Sequence, residues 1–302
     1  MRVFGRAASL CFVFYALSGT VAGGTGGGLP GDPRFPIPPA PGEQQQPILP
    51  SQSASAQALQ DCEKNLMKMT AIEVETCGDL AKRNHAPRLR HSLAIVYSLG
   101  FFGVAQDSVE SDKWVRLAAE QGDALMQYNV GNKYRKGKGV EQDYVEALKW
   151  FRLAAEQGEA IAQSLLGLMY TNGEGVLQDY ATAVKWYRLA AEQGNSAAQV
   201  SLASTYMVGL GVAQDYGAAA KWSRLAAEQG NSAAQNNLGA MYEAGLGVPQ
   251  DYVMAYMWYN LASIDGNPYR RTNRDLILKK MNAEQIRQGQ QKARDWLASR
   301  NP

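Results

Sequence analysis

The sequence predicts an all-α fold, an elongated array of stacked helix-turn-helix repeats. Three observations lead there. The phrase RLAAEQG occurs four times, from Arg116, Arg152, Arg188 and Arg224, each copy 36 residues after the last. A drifted fifth copy, NLASIDG, starts at Asn260, again 36 residues on. Between copies the chain reads GKGV, GEGV, GLGV and GLGV, from Gly137, Gly173, Gly209 and Gly245. A fixed period of this length marks stacked supersecondary units, each too small to bury its own apolar face.

The first element is not part of that stack. Residues 1–22 contain Arg2 and Arg6, an apolar run from about Ala7 to Leu17, and small residues up to Ala22. That pattern is expected of a cleaved signal peptide, hence of a periplasmic or secreted protein. The apolar run is shorter than the ~20 residues a spanning helix requires, so no stable membrane insertion is expected. The formal charge of the full chain is +2, and removing this stretch leaves no net charge. A neutral chain lacks the basic footprint of a nucleic-acid binder.

Residues 23–56 are rich in Gly, Pro, Gln and Ser with few aliphatics, and are expected to form a disordered linker. Residues 57–106 read as a degenerate N-terminal repeat. ALQDCEKNLMKM and AIEVETCGDLAKRN have helical spacing, and Tyr97 followed by SLGFFGVAQD parallels Tyr134 followed by RKGKGVEQD with one extra residue. Cys62 and Cys77 lie here. Once Cys11 is removed with the signal they are an even pair, and in an oxidising compartment they are expected to form a disulfide; two separate buried thiols are the alternative.

Regular repeats are expected at 107–142, 143–178, 179–214 and 215–250, with the final repeat and a C-terminal capping helix at 251–302. One unit shows the physics. Asp143 caps the first helix, and Glu146 stands where it would complete a capping box. In YVEALKWFRLAAEQ, residues Tyr144, Ala147, Trp150, Phe151, Ala154 and Ala155 fall on one arc, with Val145, Lys149, Arg152 and Glu156 opposite. Gly158 ends the helix in a left-handed conformation. The second helix, EAIAQSLLGLMYTN, offers Ala162, Leu165, Leu166 and Met169. Gly167, costly inside a helix, recurs as Gly131 and Gly239 with Ala203 between, and points to close helix packing.

Motifs that bring chemistry are sparse. His85 and His91, the only histidines, lie six residues apart with no acidic or thiol cluster to complete a metal set. The Gly-x-Gly turns lack a following Gly-Lys-Ser/Thr and no strand precedes them, so they are not phosphate loops. No catalytic residue, cofactor or metal is expected. Trp114, Trp150, Trp186, Trp222 and Trp258 form a ladder assigned to core packing. The next position varies: Val115, Phe151, Tyr187, Ser223, Tyr259. Variation inside uniform units is where partner choice can be encoded, and these five are candidate partner-binding residues; loosely constrained packing is the competing explanation. Lys149, Arg152, Lys185 and Arg188, from parallel basic rows, are the other candidates.

The pattern A-x-K-W-x-R-L-A-A-E-Q-G, then A-Q-x-x-L-G-x-M-Y-x-x-G-x-G-V, resembles the Sel-one-like repeat family, which is tetratricopeptide-like. The resemblance covers roughly Asp107 to Gln290. It implies a right-handed α/α superhelical solenoid that binds protein or peptide segments, exported in bacteria and acting in the cell envelope as a non-catalytic scaffold or adaptor. The ending NRDLILKKMNAEQIRQGQQKARDW resembles the family's cap. Two alternatives go with the resemblance: a β-lactam- or peptidoglycan-acting enzyme of the cysteine-rich repeat type, and a periplasmic regulator of a membrane sensor. The first is weakened because units from Asp107 onward contain no cysteine.

Overall fold

A computed structural model describes residues 50–66, 69–101 and 103–300. The expected signal peptide and linker residues 23–49 lie outside the described residues. Among the described residues there are fourteen α-helices and no strand. The helices are α1 (Pro50–Asn65), α2 (Ala71–Arg83), α3 (Pro87–Leu99), α4 (Ser108–Glu120), α5 (Ala124–Lys136), α6 (Tyr144–Glu156) and α7 (Ala160–Asn172), then α8 (Tyr180–Glu192), α9 (Ser196–Val208), α10 (Tyr216–Glu228), α11 (Ser232–Ala244), α12 (Tyr252–Ala262), α13 (Pro268–Leu278) and α14 (Ala283–Ala298). The fold class is that of an α/α repeat solenoid. Two compact units are distinguished. The N-terminal unit runs to Leu166 and includes Gly173–Leu177; the C-terminal unit comprises Gly167–Asn172 and the chain from Gln178.

The helices begin and end where the sequence signals them. Asp107, Asp143, Asp179, Asp215 and Asp251 have extended backbone and accept hydrogen bonds from first-turn amides, satisfying donors that lack an intrahelical partner. Each aspartate is also tied by its own N–H to a tyrosine carbonyl of the preceding helix, as Asp143 is to Tyr134 at 3.0 Å and Asp215 to Tyr206 at 2.9 Å. The expected capping box at Asp143 is half-formed. The Glu146 amide donates to Asp143, but its carboxylate turns outward and accepts from Lys149 Nζ at 2.8 Å and Trp150 Nε1 at 3.1 Å. A glutamate with a lysine three residues on and an indole four residues on has better partners than the cap N–H.

In the N-terminal unit, Ala147, Trp150, Phe151, Ala154 and Ala155 are buried as the helical arc requires. The leading region holds three helices, α1, α2 and α3. The first starts at Pro50, so residues 50–56, expected in the linker, are helical; Pro at a helix start and the following Ala and Gln favour this. Cys62 and Cys77 form a disulfide joining α1 to α2. They pack among Leu66, Val74, Ala81, Leu89, Leu93 and Trp114. In the C-terminal unit α14 packs on α12: Ala293 is buried beside Met257 and Trp258, and the Trp258 and Trp296 rings meet edge-on with centroids 6.1 Å apart.

Candidate partner-binding surface

The variable position following each tryptophan faces inward. Phe151, Tyr187, Ser223 and Tyr259 are buried and Val115 is half-buried. A buried side chain does not touch a partner, so the recognition role expected of these residues is replaced by packing. The three aromatic residues each lie over a glycine that stands 20 positions earlier in the preceding helix. A Cβ at Gly131 would lie 2.9 Å from the Phe151 ring, at Gly167 2.5 Å from Tyr187, and at Gly239 2.8 Å from Tyr259. Where the glycine's place in the repeat is taken by Ala203, the residue 20 positions on is the smaller Ser223, whose hydroxyl is buried and makes no hydrogen bond among the described residues. In the leading pair Ala94 shares an apolar cluster with Val115. The variation thus encodes fit between helices: glycine beneath an aromatic ring, alanine beneath a smaller residue.

The basic rows divide. Lys149 is exposed and paired with Glu146, and Lys113 with Glu110, both at 2.8 Å. Lys185 is exposed and Arg152 half-buried. The arginines reach across to the tyrosine of the next helix. Arg188 donates to the Tyr206 hydroxyl at 2.7 Å, Arg224 to Tyr242 at 2.9 Å and Arg116 to Tyr134 at 3.3 Å. Tyr134 and Glu120 together hold the Arg116 guanidinium above its ordinary pKa. Arg188 is therefore partly spent on bracing its own hairpin, which leaves the lysines as the more available charges.

A second set, not singled out in the sequence, is the buried glutamine of the A-Q dipeptide. Gln127, Gln163, Gln199 and Gln235 are buried, and each donates Nε2 to the last-turn carbonyl of the preceding helix: Ala119, Ala155, Ala191 and Ala227, at 3.0–3.2 Å. A helix end leaves carbonyls without partners, and a buried amide satisfies one of them. The glutamine of RLAAEQG then joins in, Gln157 donating to Gln127 Oε1 at 2.7 Å and Gln229 to Gln199 Oε1 at 2.8 Å. In the leading region Arg90 takes this place, 37 residues before Gln127 in keeping with the one extra residue after Tyr97. It is buried and donates to the carbonyls of Ala81, Lys82, Asn84 and Leu117. The signal was available: a polar residue recurring at a fixed place in an otherwise apolar helix face.

The residues left facing water include aliphatics at the turn-proximal ends of the helices. In the N-terminal unit these are Leu125, Leu153 and Ile161, 40%, 37% and 43% exposed. The Gln157–Gln127 bond sets the end of α6 against the first turn of α5, so Leu153 and Leu125 belong to one edge. Lys149 lies one turn before Leu153 on α6. In the C-terminal unit Leu189 and Leu225 occupy the same repeat position and are exposed. Exposed aliphatics rimmed by charge are what a protein-binding surface presents. Among the described residues no group of His, Cys, Asp or Glu is placed to hold a metal ion, and no helix is long and apolar enough to cross a membrane.

Comparison with known proteins agrees with this geometry. The Sel1 repeat family matches five times, at residues 90–123, 124–159, 160–195, 196–231 and 232–267. Each match pairs the second helix of one expected unit with the first helix of the next, α5 with α6 and α11 with α12. These pairs contain the glycine-on-aromatic contacts. A Sel1 repeat protein from Oxalobacter formigenes is 30% identical, with a TM-score of 0.62, over 81% of this chain and 95% of that one. A protective antigen present in uropathogenic Escherichia coli strains, c5321, which displays an SLR fold, is also 30% identical, with a TM-score of 0.55, over 82% of this chain. This chain spans 62% of the length of that antigen. Among curated proteins no match is found.

Proposed function

The chain belongs to the Sel1 repeat family, and from that premise we propose that it is an exported, non-catalytic scaffold that binds protein segments in the bacterial cell envelope. Proteins of this family mediate protein–protein interactions. The observation that supports the reading most is the allocation of side chains: recurring polar residues brace helices, recurring small and aromatic residues pack them, and leucines at helix ends stay exposed in each unit, Leu125 and Leu153 in one and Leu189 and Leu225 in the other. Export is supported by the Cys62–Cys77 disulfide, which fits an oxidising compartment.

The test is affinity capture from an envelope fraction with the wild-type chain and with Leu125→Asp/Leu153→Asp, whose helicity is checked by circular dichroism. The expected result is a protein retained reproducibly by the wild type and lost with the variant. Absence of any retained protein, or retention unchanged by the variant, contradicts the reading.

A further inference from the structure

We propose that α1 is a redox-latched lid over the N-terminal end of the helix stack, closed only while Cys62 and Cys77 are oxidised. Little else holds the described side chains of α1. Of its side chains described from Ala56 to Asn65, only Cys62 is buried, with Ala58 and Leu59 half-buried. Leu66, just beyond the helix, adds one buried aliphatic. Among the described side chains of α1 no hydrogen bond or ion pair reaches another helix; Gln57 bonds only to Asp61 within α1. The next two helices are fastened quite differently, since Arg90 of α3 binds three carbonyls at the end of α2. Among the described side chains of α1, Cys62 is therefore the main point of attachment, through the disulfide.

What α1 covers is apolar. It lies against α2 and α3, where Val74, Cys77, Leu89 and Leu93 are buried in one cluster with Cys62 and Leu66. Lifting α1 would bare part of that cluster, a surface of the kind each repeat offers to its neighbour. Closing a short loop by a disulfide shifts such an equilibrium by roughly 100-fold on the chain-entropy model. Cys62 and Cys77 are 5% and 2% exposed, so a reductant reaches the bond through transient local fraying of α1 about the intact bond, and full lifting follows reduction.

Opening takes a dithiol. One thiolate of the reagent attacks a cysteine sulfur, the S–S bond breaks, and the other cysteine leaves as a thiolate that takes up a proton. The second thiol of the reagent then closes on the mixed disulfide, releasing the oxidised reagent and leaving two protein thiols.

Hydrogen exchange of the full chain, with and without dithiothreitol, tests the proposal, with thiol alkylation to count reduced cysteines. The expected result is that the reagent yields two alkylatable thiols and that exchange within residues 51–65 accelerates by roughly 100-fold. Exchange in α4–α14 stays as it was, and the reduced chain gains binding of an apolar dye. The Cys62→Ser/Cys77→Ser variant, without reagent, should match the reduced wild type. A bond that resists the reagent in the folded chain overturns the proposal. So does unchanged protection of α1 after reduction, or an acceleration shared equally by α2–α6.

Discussion

Gly239 is glycine because the Tyr259 ring occupies the room a side chain would need. The same contact recurs at Gly131 and Gly167, and where the repeat has Ala203 in place of the glycine, the residue 20 positions on is the smaller Ser223, both buried. Gly239→Ala should therefore destabilise the chain by about 1–3 kcal/mol despite alanine's better helix propensity, read as a lower urea midpoint. Gly239→Ala/Tyr259→Ser should lose less than the two single changes added together, because the smaller residue makes room for the methyl. Tyr259 also gives a pH dependence. Burial, with the Glu243 carboxylate accepting its hydroxyl at 2.8 Å, holds its pKa well above the ordinary tyrosine value. The folded chain then keeps a proton that the unfolded chain releases near pH ~10, so stability is undiminished below that pH and falls above it. Urea midpoints measured from pH 9 to 11.5 should decline, and Tyr259→Phe should flatten the decline. Sequence alone left the variable position open between partner contact and packing, because the glycine that decides it stands 20 residues earlier and belongs to a different helix pair from the one RLAAEQG suggests.

Helices are joined in two ways. At one end the turn Gly-x-Gly-Val brings the chain so close to the preceding first helix that a Cβ at Gly247 would lie 2.0 Å from the Tyr216 carbonyl oxygen, at a φ of +69°. Backbone strain alone makes Gly247→Ala cost about 1–2 kcal/mol, and the clash adds to it. At the other end the buried glutamines close each helix on its neighbour. Gln199→Leu keeps the volume but strips the Ala191 carbonyl and the Gln229 amide of their partner, and should cost about 1–3 kcal/mol by urea unfolding. Caps and turns were legible element by element, since Asp at a helix start and Gly at its end have local causes. The glutamine bonds were not, because they depend on which helix end lies beside which. Leu153 was left off both arcs of the helix for a similar reason: it lies at their margin, and only the packing of α5 shows that it faces water.

At the scale of the whole chain, repetition follows from a helix pair that does not cover its own apolar side. Within each unit the next pair covers it, and in the C-terminal unit α14 does so last, setting Trp296 and Ala293 on Trp258 and Met257. Deleting residues 283–302 should bare these side chains and give concentration-dependent association in size-exclusion chromatography. A shortened chain that stays monomeric and melts like the full one would contradict the capping role. The period and the caps made the fold readable before any coordinates. The binding surface was readable only in kind, because exposure is what remains after every helix has chosen its neighbours. The scaffold reading is tested most directly by a photo-crosslinking amino acid placed in turn at exposed Leu125 and Leu153 and at buried Phe151, in the native envelope. The account predicts adducts to one and the same protein from the two leucine positions and none from Phe151. An absence of adducts at both leucines, or equal labelling at all three positions, would contradict it.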